Sequence, residues 1–573
     1  MVSHKKTSKT EIETVKHKDK RANIPTEELR GFLSEEEKQP KTLLYPRDPS
    51  LDPQLVWQTK DEQDAQDLEV TAVPIYIQEK IHPQAIIDDF RHQVKQEQAE
   101  QQLSLFGDFN GLEFEKLIDF YQHKDGVKWT NRMILGDSLS VMGSLAEKEG
   151  LKGQVQMIYI DPPYGIKFGS NWQVSTRKRD VKDGNVGDVT RQPEQVKAFR
   201  DTWELGIHSY LSYMRDRLVV ARELLTETGS VFVQISDENV HLVRCLIDEV
   251  FGADNFVSLI SFVTTSGFAT KTLSRAGDYL IWYAKNSDLV KYRQLYNFKV
   301  LGESGSKGYE FLETYKGLVR RITNDELNGL KPLPQQSNLF SLSDLQSKKK
   351  KKEDQTFLYR GKAYKPNSSS HWKANFPDGM QRLNYANRIS ITGKTLRYKR
   401  FFQDFPVFPL NNLWSEQMSE QNKDYVVQTS TKVLERCILM ATDPGDLVLD
   451  PTSGAGTTAY VAEQWGRRWI TIDTSRVALA LARTRLMSAQ YPYYLLADSE
   501  EGIEKEAAIA GQIPPTNPNT DEDIKKGFVY KRVPHITLGA IANNPEIDTI
   551  HEKWQKKLEP IHTQLNQLLK KSW

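Results

Sequence analysis

With 573 residues, the chain is long enough for several domains, and its 27% charged and 38% hydrophobic residues allow most of it to form globular cores. Its two cysteines, Cys245 and Cys437, exclude a disulfide framework and a cysteine-rich zinc site, and the eleven histidines show no metal-ligand spacing, so we expect no metal. The net charge of +1 excludes a strong overall attraction for nucleic acid, although the charge is unevenly distributed along the chain.

The N-terminal segments are predicted to be a polar extension followed by an accessory region. Residues 1–70 are polar and charge-rich, which predicts a partly disordered extension. Residues 71–128 include a mixed-polarity helical stretch and are predicted to form an accessory helical region. The first residues lack the apolar core of a secretion signal, and no run approaches the roughly 18 apolar residues of a membrane span, so we expect a cytoplasmic protein with no membrane partner.

Residues 129–288 carry alternating strand and helix patterns. The strand patterns are RMILGD, QMIYID, GSVFVQISD and DYLIWYAKN, and the helix patterns are YLSYMRDRLVVARELL and ENVHLVRCLIDEVFG. This alternation is typical of a mostly parallel sheet with helices on both faces. It resumes at residues 425–487, so the two halves are predicted to complete one doubly wound α/β sheet.

The strand pattern of residues 156–160 ends in a corner, Asp161-Pro162-Pro163-Tyr164. Proline has no backbone N–H and a fixed φ, so the strand cannot continue beyond this point. The corner is therefore a rigid turn that carries a carboxylate and an aromatic ring. Without further motifs it is as typical of a plain strand-ending turn as of a catalytic site, and both interpretations stay open here.

Residues 289–424 interrupt the α/β pattern and are strongly basic. Within them, residues 291–404 hold 23 Lys and Arg against 10 Asp and Glu. Aromatic residues are interleaved with the arginines, which favours contact with nucleic acid. The predicted contact residues are Trp372, Arg382, Tyr385, Arg388, Arg397, Tyr398 and Arg400. A basic oligomerisation or solubilising insert is the alternative.

A second strand-to-helix turn, DPTSGAGTT, follows the insert and begins at Asp450. Glycines at such a turn, here Gly454 and Gly456, let a ligand approach the backbone closely. A further strand pattern ends at Asp473, close to the spacing at which an acid binds ribose hydroxyls in nucleotide sites. Because Asp450 directly precedes the loop, a positively charged nucleoside fits better than a phosphate, and the pattern points to S-adenosylmethionine.

Residues 488–573 are predicted to be a C-terminal accessory region. They contain a strand-like run, GFVYKRVPHITLGAI, followed by a helix pattern that ends without a capping residue. This ending is compatible with an ordinary carboxyl end and with a chain that continues further.

The order of these motifs resembles that of a known enzyme family. DPPY followed much later by DPTSGAGTT, across roughly residues 129–487, resembles the permuted β-group DNA amino-methyltransferases, and most of all the adenine-specific modification subunits of type III restriction systems. The resemblance implies a Rossmann-like methyltransferase fold and methyl transfer from S-adenosylmethionine to the N6 amino group of a flipped-out adenine. It assigns residues 129–288 to the catalytic half, 289–424 to target recognition and 425–487 to the cofactor-binding half.

The resemblance also implies the roles of individual residues. Asp161 and the Pro162 carbonyl are expected to accept the amino hydrogens of the base, and Tyr164 is expected to stack on it. The implied catalytic residues are Asp161, Pro162, Pro163 and Tyr164. The implied cofactor residues are Asp137, Asp161, Lys432, Asp450, Pro451, Thr452, Gly454, Gly456, Thr457 and Asp473.

The sequence departs from the family pattern in two places. In the cofactor loop, Thr452 stands where the family usually has an aromatic residue, and Ala455 stands where it has serine. Before that loop, Thr431-Lys432-Val433 replaces the usual Gln-Lys-Pro. Loss of the aromatic ring removes one wall of the cofactor site, which bears on cofactor affinity more than on the chemistry.

The expected partner is double-stranded DNA, with a second copy of the chain and a restriction (helicase–nuclease) subunit as open possibilities. Methylation of cytosine N4 is the nearest alternative activity, although an acid at the first position of the tetrad goes more with adenine in the resembling family. The large basic insert disfavours an RNA or protein-amide methyltransferase. Two intact motifs disfavour a non-catalytic DNA-binding subunit.

Overall fold

The computed structural model describes residues 41–45, 55–72, 75, 131–162, 206–264, 273–303, 305–349, 353–417, 429–516 and 518–569. The chain forms two compact units, the first comprising Met1–Tyr292 with Asn412–Tyr493 and the second Arg293–Asn411 with Tyr494–Trp573.

The described strands are, in chain order, β1 (Lys41–Tyr45), β2 (Leu68–Ala72), β3 (Arg132–Leu135), β4 (Val155–Ile160), β5 (Leu225–Ile235), β6 (Phe256–Val263), β7 (Gly277–Ala284), β8 (Tyr296–Phe298), β9 (Phe311–Glu313), β10 (Val319–Arg321), β11 (Asn338–Asp344), β12 (Gln346–Lys348), β13 (Phe357–Tyr359), β14 (Lys362–Tyr364), β15 (Ser370–Trp372), β16 (Ile389–Thr392), β17 (Thr395–Phe401), β18 (Val407–Pro409), β19 (Leu413–Gln417), β20 (Leu447–Asp450) and β21 (Arg468–Asp473). The described α-helices are α1 (Lys60–Ala65), α2 (Ser138–Glu147), α3 (Ile207–Leu224), α4 (Val240–Phe251), α5 (Asn324–Leu327), α6 (Asp378–Tyr385), α7 (Thr431–Ala441), α8 (Thr457–Gln464), α9 (Arg476–Ser488), α10 (Glu500–Ala510), α11 (Leu538–Ala542) and α12 (Glu546–Leu569).

The first unit is built on an eight-stranded sheet with the strand order β19-β6-β7-β5-β4-β20-β21-β3. Neighbouring strands from β3 to β5 in this order are parallel, whereas β7 is antiparallel to both β5 and β6. Strand β20 lies beside β4, with Leu449 opposite Ile158, so residues from both sides of the insert complete one sheet. This confirms the predicted doubly wound, mostly parallel α/β fold.

The central strands of this sheet are buried. Every residue of β4 and β20 is buried, in agreement with their largely apolar sequences VQMIYI and LVLD. Helices α2, α3 and α4 contribute apolar side chains to the same core, among them Leu145, Leu218 and Leu246. The close-packed core therefore fixes the positions of the ends of β4 and β20.

One strand of the sheet comes from residues that the sequence pattern assigned to the insert. Residues Asn412–Tyr493 belong to the first unit, where β19 pairs in parallel with β6. The sequence LWSEQ has no clear alternation of apolar and polar residues, so its periodicity does not predict a strand. It becomes a strand because it pairs with the edge of the sheet.

The second unit has a five-stranded antiparallel sheet with the order β10-β9-β11-β17-β16, and three two-stranded ribbons. A hydrophobic cluster around Trp372 includes side chains of α6 together with Ile541 and Ala542 of the C-terminal region. Tyr385 also stacks on His551, with ring centroids 3.5 Å apart. The C-terminal residues therefore share a core with the insert.

The described ranges lack two structural features, a membrane-spanning helix and a metal-binding cluster. Among these residues, none of the helices combines the length and the apolar character needed to cross a membrane. The same residues contain no group of three or more His, Cys, Asp or Glu that could hold a metal ion.

Candidate active site at the carboxyl edge of the parallel sheet

Four acidic residues lie at or just after the carboxyl ends of four neighbouring strands. In the spatial order of the strands β4, β20, β21 and β3, they are Asp161, Asp450, Asp473 and Asp137. Because parallel strands present their carboxyl ends at the same edge of a sheet, the four acids lie in a row at that edge. This is where open α/β sheets bind their ligands.

Asp161 is held by two threonines from distant parts of the chain. Its backbone N–H donates to Thr452 Oγ1 at 2.8 Å, and Thr429 Oγ1 donates to its Oδ2 at 2.6 Å. The corner after β4 is therefore hydrogen-bonded directly to the loop after β20. Pro163 and Tyr164 lie outside the described residues, so the stacking role expected of Tyr164 stays a prediction.

The loop after β20 folds around Asp450. The Thr452 backbone N–H donates to Asp450 Oδ1 at 2.9 Å, and Thr458 Oγ1 donates to Oδ2 at 2.5 Å. Gly456, directly before α8, has a φ of 70° and a position where an added Cβ would lie 2.7 Å from the Ala482 Cβ. A residue with a side chain is thus disfavoured at this position for two reasons, the positive φ and the close approach of α9.

Asp473 connects this loop to the next strand. Its Oδ2 accepts the Gly454 backbone N–H at 2.8 Å, and its Oδ1 accepts the Ser475 backbone N–H at 2.7 Å. The carboxylate therefore fixes the glycine loop, and its spacing from the glycines is close to that of ribose-binding acids in nucleotide sites.

The two central carboxyl groups have perturbed acidity. Burial raises the pKa of Asp450 to about 6, against the opposing effect of hydrogen bonds from Thr458 and Thr452. Burial also raises the pKa of Asp473 to about 7, and the nearby Asp450 charge adds to this effect. Two desolvated carboxyl groups one strand apart favour a ligand with positive charge and disfavour a phosphate.

Asp137 is used structurally at the end of this row. It caps α2 by accepting the Leu139 backbone N–H at 3.0 Å, and it forms an ion pair with Arg217. The Gly136 backbone N–H donates to the Asp473 carbonyl at 3.0 Å, which keeps Asp137 beside β21. Of the other cofactor residues implied by the resemblance, Lys432 is exposed on α7.

Sequence reasoning missed two residues of this region. Thr429 has no motif around it, and only the structure brings it to Asp161. Arg217 could have been suspected, because it occupies an apolar face of the α3 pattern, where an arginine needs an acidic partner.

The predicted DNA contacts divide into interior and surface residues. Trp372 and Tyr398 are buried in the core of the second unit, so the prediction that they contact DNA is wrong. Arg388 pairs with the buried Asp404 at 2.5 Å, and its side chain is only 12% exposed. Aromatic rings also form the core of a small folded unit, and arginines also form its internal ion pairs. A basic, aromatic-rich sequence therefore does not by itself distinguish these residues from DNA contacts.

The remaining predicted contacts are more accessible. Arg382 pairs with Asp548, and Tyr385 is half-buried against the C-terminal helix α12. Arg397 is 39% exposed, and its nearest carboxylate, Asp344, is 3.5 Å away. Arg400 is exposed on β17. Arg397 and Arg400 are thus the predicted arginines that the structure leaves at the surface.

Comparison with known proteins found a matching family model and several similar proteins. A family model described as DNA methylase, for N6 and N4 amino-methyltransferases, matches residues 155–484. The probable type III restriction-modification enzyme HindVI Mod subunit of Haemophilus influenzae is 25% identical over 414 residues, which cover 64% of this chain and 51% of that protein. The type II methyltransferase M.EcaI of Enterobacter cloacae is 24% identical, over 64% of this chain and 70% of that protein.

The chain also has a slight likeness to several solved structures. A complex of M1.HpyAVI with SAM is 12% identical, covers 62% of this chain and 98% of that chain, and has a TM-score of 0.29. The cytosine-N4-specific PvuII DNA methyltransferase is 15% identical, covers 67% of this chain and 94% of that chain, and has a TM-score of 0.30.

The family match spans both motifs and the insert between them. This chain corresponds to about half the length of the HindVI Mod subunit and to 60% of the StyLTI Mod subunit of Salmonella typhimurium. The matched residues 155–484 nevertheless make up more than half of the chain. They include the corner at Asp161 and the loop at Asp450, which confirms the resemblance seen in the sequence. The chain belongs to the N6/N4 family of DNA methylases.

Proposed function

We propose that this protein transfers a methyl group from S-adenosylmethionine to an exocyclic amino group of a DNA base, as the modification component of a restriction system. The observation that carries the proposal is the hydrogen bond between the Asp161 backbone and Thr452, because it joins the corner that would hold the base to the loop that would hold the cofactor. A methyl donor and an acceptor must be adjacent for direct transfer.

The site fits S-adenosylmethionine. Gly454 and Gly456 have the positive φ values that form the tight cofactor loop, Asp473 hydrogen-bonds this loop at a spacing close to that of ribose-binding acids, and the row of carboxylates suits a cation. The other loop residues proposed to line the cofactor site are Pro451, Thr452 and Thr457, with Asp137 and Lys432 at its periphery. When bound, this cofactor supplies a methyl group that is activated by its positively charged sulfur.

Asp161 and the Pro162 carbonyl would prepare the acceptor. An exocyclic amino nitrogen is a poor nucleophile because its lone pair is delocalised into the ring. Acceptors for both of its hydrogens draw the nitrogen toward tetrahedral geometry and stabilise the positive charge that develops on it. Tyr164 is proposed to stack on a base that has left the duplex. Beyond these acceptors, direct transfer mainly requires that the methyl donor and the amino nitrogen are correctly positioned.

Adenine N6 is the proposed target, with cytosine N4 as the alternative. The support is the acid at the first position of Asp161-Pro162-Pro163-Tyr164, which goes more with adenine in the resembling family. Purified protein should be incubated with plasmid DNA and isotope-labelled S-adenosylmethionine, and the DNA then digested to nucleosides for mass spectrometry. Labelled N6-methyladenine is the expected product. Labelled N4-methylcytosine would identify the alternative, and no labelled base would refute the proposed function.

The second unit is proposed to recognise double-stranded DNA. Residues 291–404 contain 23 Lys and Arg against 10 Asp and Glu, which supports this proposal together with the surface positions of Arg397 and Arg400. Access to cellular DNA implies a cytoplasmic location, which we propose as well.

We also propose that a second copy of the chain and a restriction subunit are partners. The relatives named as Mod subunits support the restriction partner. A stripe on α12 supports self-association, because its members alternate at spacings of four and three and are 47–82% exposed; they are Trp554, Leu558, Ile561, Leu565 and Leu568. Light scattering should find a dimer that Leu558→Glu dissociates and the off-stripe control Lys556→Glu does not. A monomeric wild-type protein would refute self-association.

A further inference from the structure

Asp161 is restrained at both its backbone and its side chain. Thr452 accepts the Asp161 backbone N–H at 2.8 Å, and Thr429 donates its hydroxyl to Asp161 Oδ2 at 2.6 Å. Thr452 lies in the loop after β20, and Thr429 lies two residues before α7. The two threonines thus approach the same aspartate from different elements.

Thr452 also connects Asp161 to the cofactor loop. Its hydroxyl lies 3.3 Å from Asp450 Oδ1, and its backbone N–H donates to the same oxygen at 2.9 Å. Asp450 in turn accepts the hydroxyl of Thr458 at the start of α8. A continuous series of hydrogen bonds therefore runs from the first turn of α8 to Asp161. A phenylalanine at position 452, which is usual in the resembling family, has no hydroxyl to make this link.

The Thr429 contact acts on the carboxylate itself. An aspartate side chain rotates about two torsions, so without a partner its oxygens can point in several directions. A hydroxyl-to-carboxylate hydrogen bond of 2.6 Å is in the short, charge-assisted range, and it fixes one oxygen. A carboxylate has about four acceptor positions, so a second ligand can still be accepted when Thr429 is bound.

We propose that Thr429 and Thr452 are positioning residues that orient Asp161 toward the amino group of the target base. Thr429 sets the direction of the carboxylate, and Thr452 fixes the backbone of Asp161 relative to the cofactor loop. This inference rests on the proposed methyl transfer. It gives Thr452, which departs from the family pattern, a role in the reaction. It gives a second role to Thr429, which lies outside both motifs.

The first experiment compares Thr429→Val, which is nearly isosteric and lacks the hydroxyl, with Thr429→Ser, which keeps it. Single-turnover methyl transfer should be about tenfold to a hundredfold slower in Thr429→Val, because a misdirected acceptor raises the barrier of the chemical step. The Kd for S-adenosylmethionine and the Tm should stay near wild type. Thr429→Ser should recover most of the rate. Thr484→Val on α9, which removes a hydroxyl bonded only to a helix carbonyl, is the matched control.

Thr452→Val should behave differently from Thr429→Val. It removes contacts to both Asp161 and Asp450, so the rate should fall and the Kd for S-adenosylmethionine should rise together. A wild-type rate in Thr429→Val, or a Thr429→Val defect seen only as weaker cofactor binding or a lower Tm, would overturn the assignment.

Crystal structures of wild type and Thr429→Val give a readout that is independent of activity. The Asp161 carboxylate should be rotated or present in two conformers in the variant, with its backbone unchanged. An identical carboxylate orientation in both proteins would overturn the inference even if methyl transfer is confirmed. Conversely, a wild-type protein that methylates no DNA refutes the proposed function, while this structural comparison still tests the role of Thr429.

Discussion

The charge of the candidate cofactor site depends on the protonation states of Asp450 and Asp473. Burial raises the pKa of Asp450 to about 6 and that of Asp473 to about 7, so both carboxyl groups change charge in or near the physiological range. Without a ligand, the protonated forms are favoured at lower pH. A cationic nucleoside, or a ribose hydroxyl that donates to the carboxylate, favours the ionised forms. Cofactor binding and proton release are therefore coupled at these two residues.

This coupling predicts the pH dependence of cofactor affinity. As pH rises from about 5.5 to about 8.5, Asp473 passes through its pKa of about 7 and becomes the stronger acceptor, so S-adenosylmethionine should bind about tenfold more tightly. Asp473→Ala should weaken binding by about 1.5–3 kcal/mol at the upper end of this range and flatten the profile. Calorimetric titration measures both effects. An affinity that falls with rising pH would contradict this role of Asp473.

At the scale of the elements, the site depends on the adjacency of β4 and β20, which come from opposite sides of the insert. The apolar runs and the two acid-ending strands predict this adjacency from the sequence, because an interrupted α/β pattern that resumes must complete its sheet. Strand β19 could not be predicted in this way, since LWSEQ becomes a strand only by pairing with β6. Similarly, GFVYKRVPHITLGAI forms only an isolated bridge at Phe528 within the described residues and then enters α11.

The turn before α8 gives a prediction at this scale. Gly456→Ala should lower the Tm and weaken S-adenosylmethionine binding, because φ is 70° and the new Cβ would lie 2.7 Å from Ala482 Cβ. Gly153→Ala is the matched control, with a φ of 69° and nothing within 4 Å of its added Cβ. The control should show only the cost of the left-handed conformation, about 1 kcal/mol. Equal losses of stability and of cofactor affinity in the two variants would mean that the close approach of α9 is unimportant.

At the scale of the whole molecule, the chain divides into a methylase unit and a second unit in which insert and C-terminal residues share a core. The charge of the insert is evident from the sequence, but its internal packing is not. An alternation of Trp, Tyr and Arg has the same appearance on a DNA-binding surface and in a small core. Trp372 and Tyr398 serve the core, whereas Arg400 is exposed.

Because some arginines of the second unit are exposed and others form internal ion pairs, we expect their alanine variants to have different effects. Arg400→Ala should reduce the slope of log affinity for duplex DNA against log salt by about 0.9, the value for one phosphate contact, and leave the Tm unchanged. Arg388→Ala should instead destabilise the second unit by about 3–5 kcal/mol, because it leaves Asp404 buried without its ion-pair partner. Fluorescence anisotropy across a salt series and thermal denaturation separate the two. An unchanged salt slope in Arg400→Ala would remove this residue from the interface.

The most direct test of methyl transfer at this site is the Asp161→Ala variant. Asp161 directly follows β4 and lies outside the loop after β20 that is proposed to hold the nucleoside, so its removal should spare cofactor binding. Labelled methyl transfer to DNA and calorimetric binding of S-adenosylmethionine should be measured on the same preparations of wild type and variant. We predict that the wild type methylates DNA and that Asp161→Ala binds the cofactor with nearly wild-type affinity but transfers no detectable methyl group. A variant that retains wild-type transfer would contradict the assignment of Asp161 as the acceptor of the amino group.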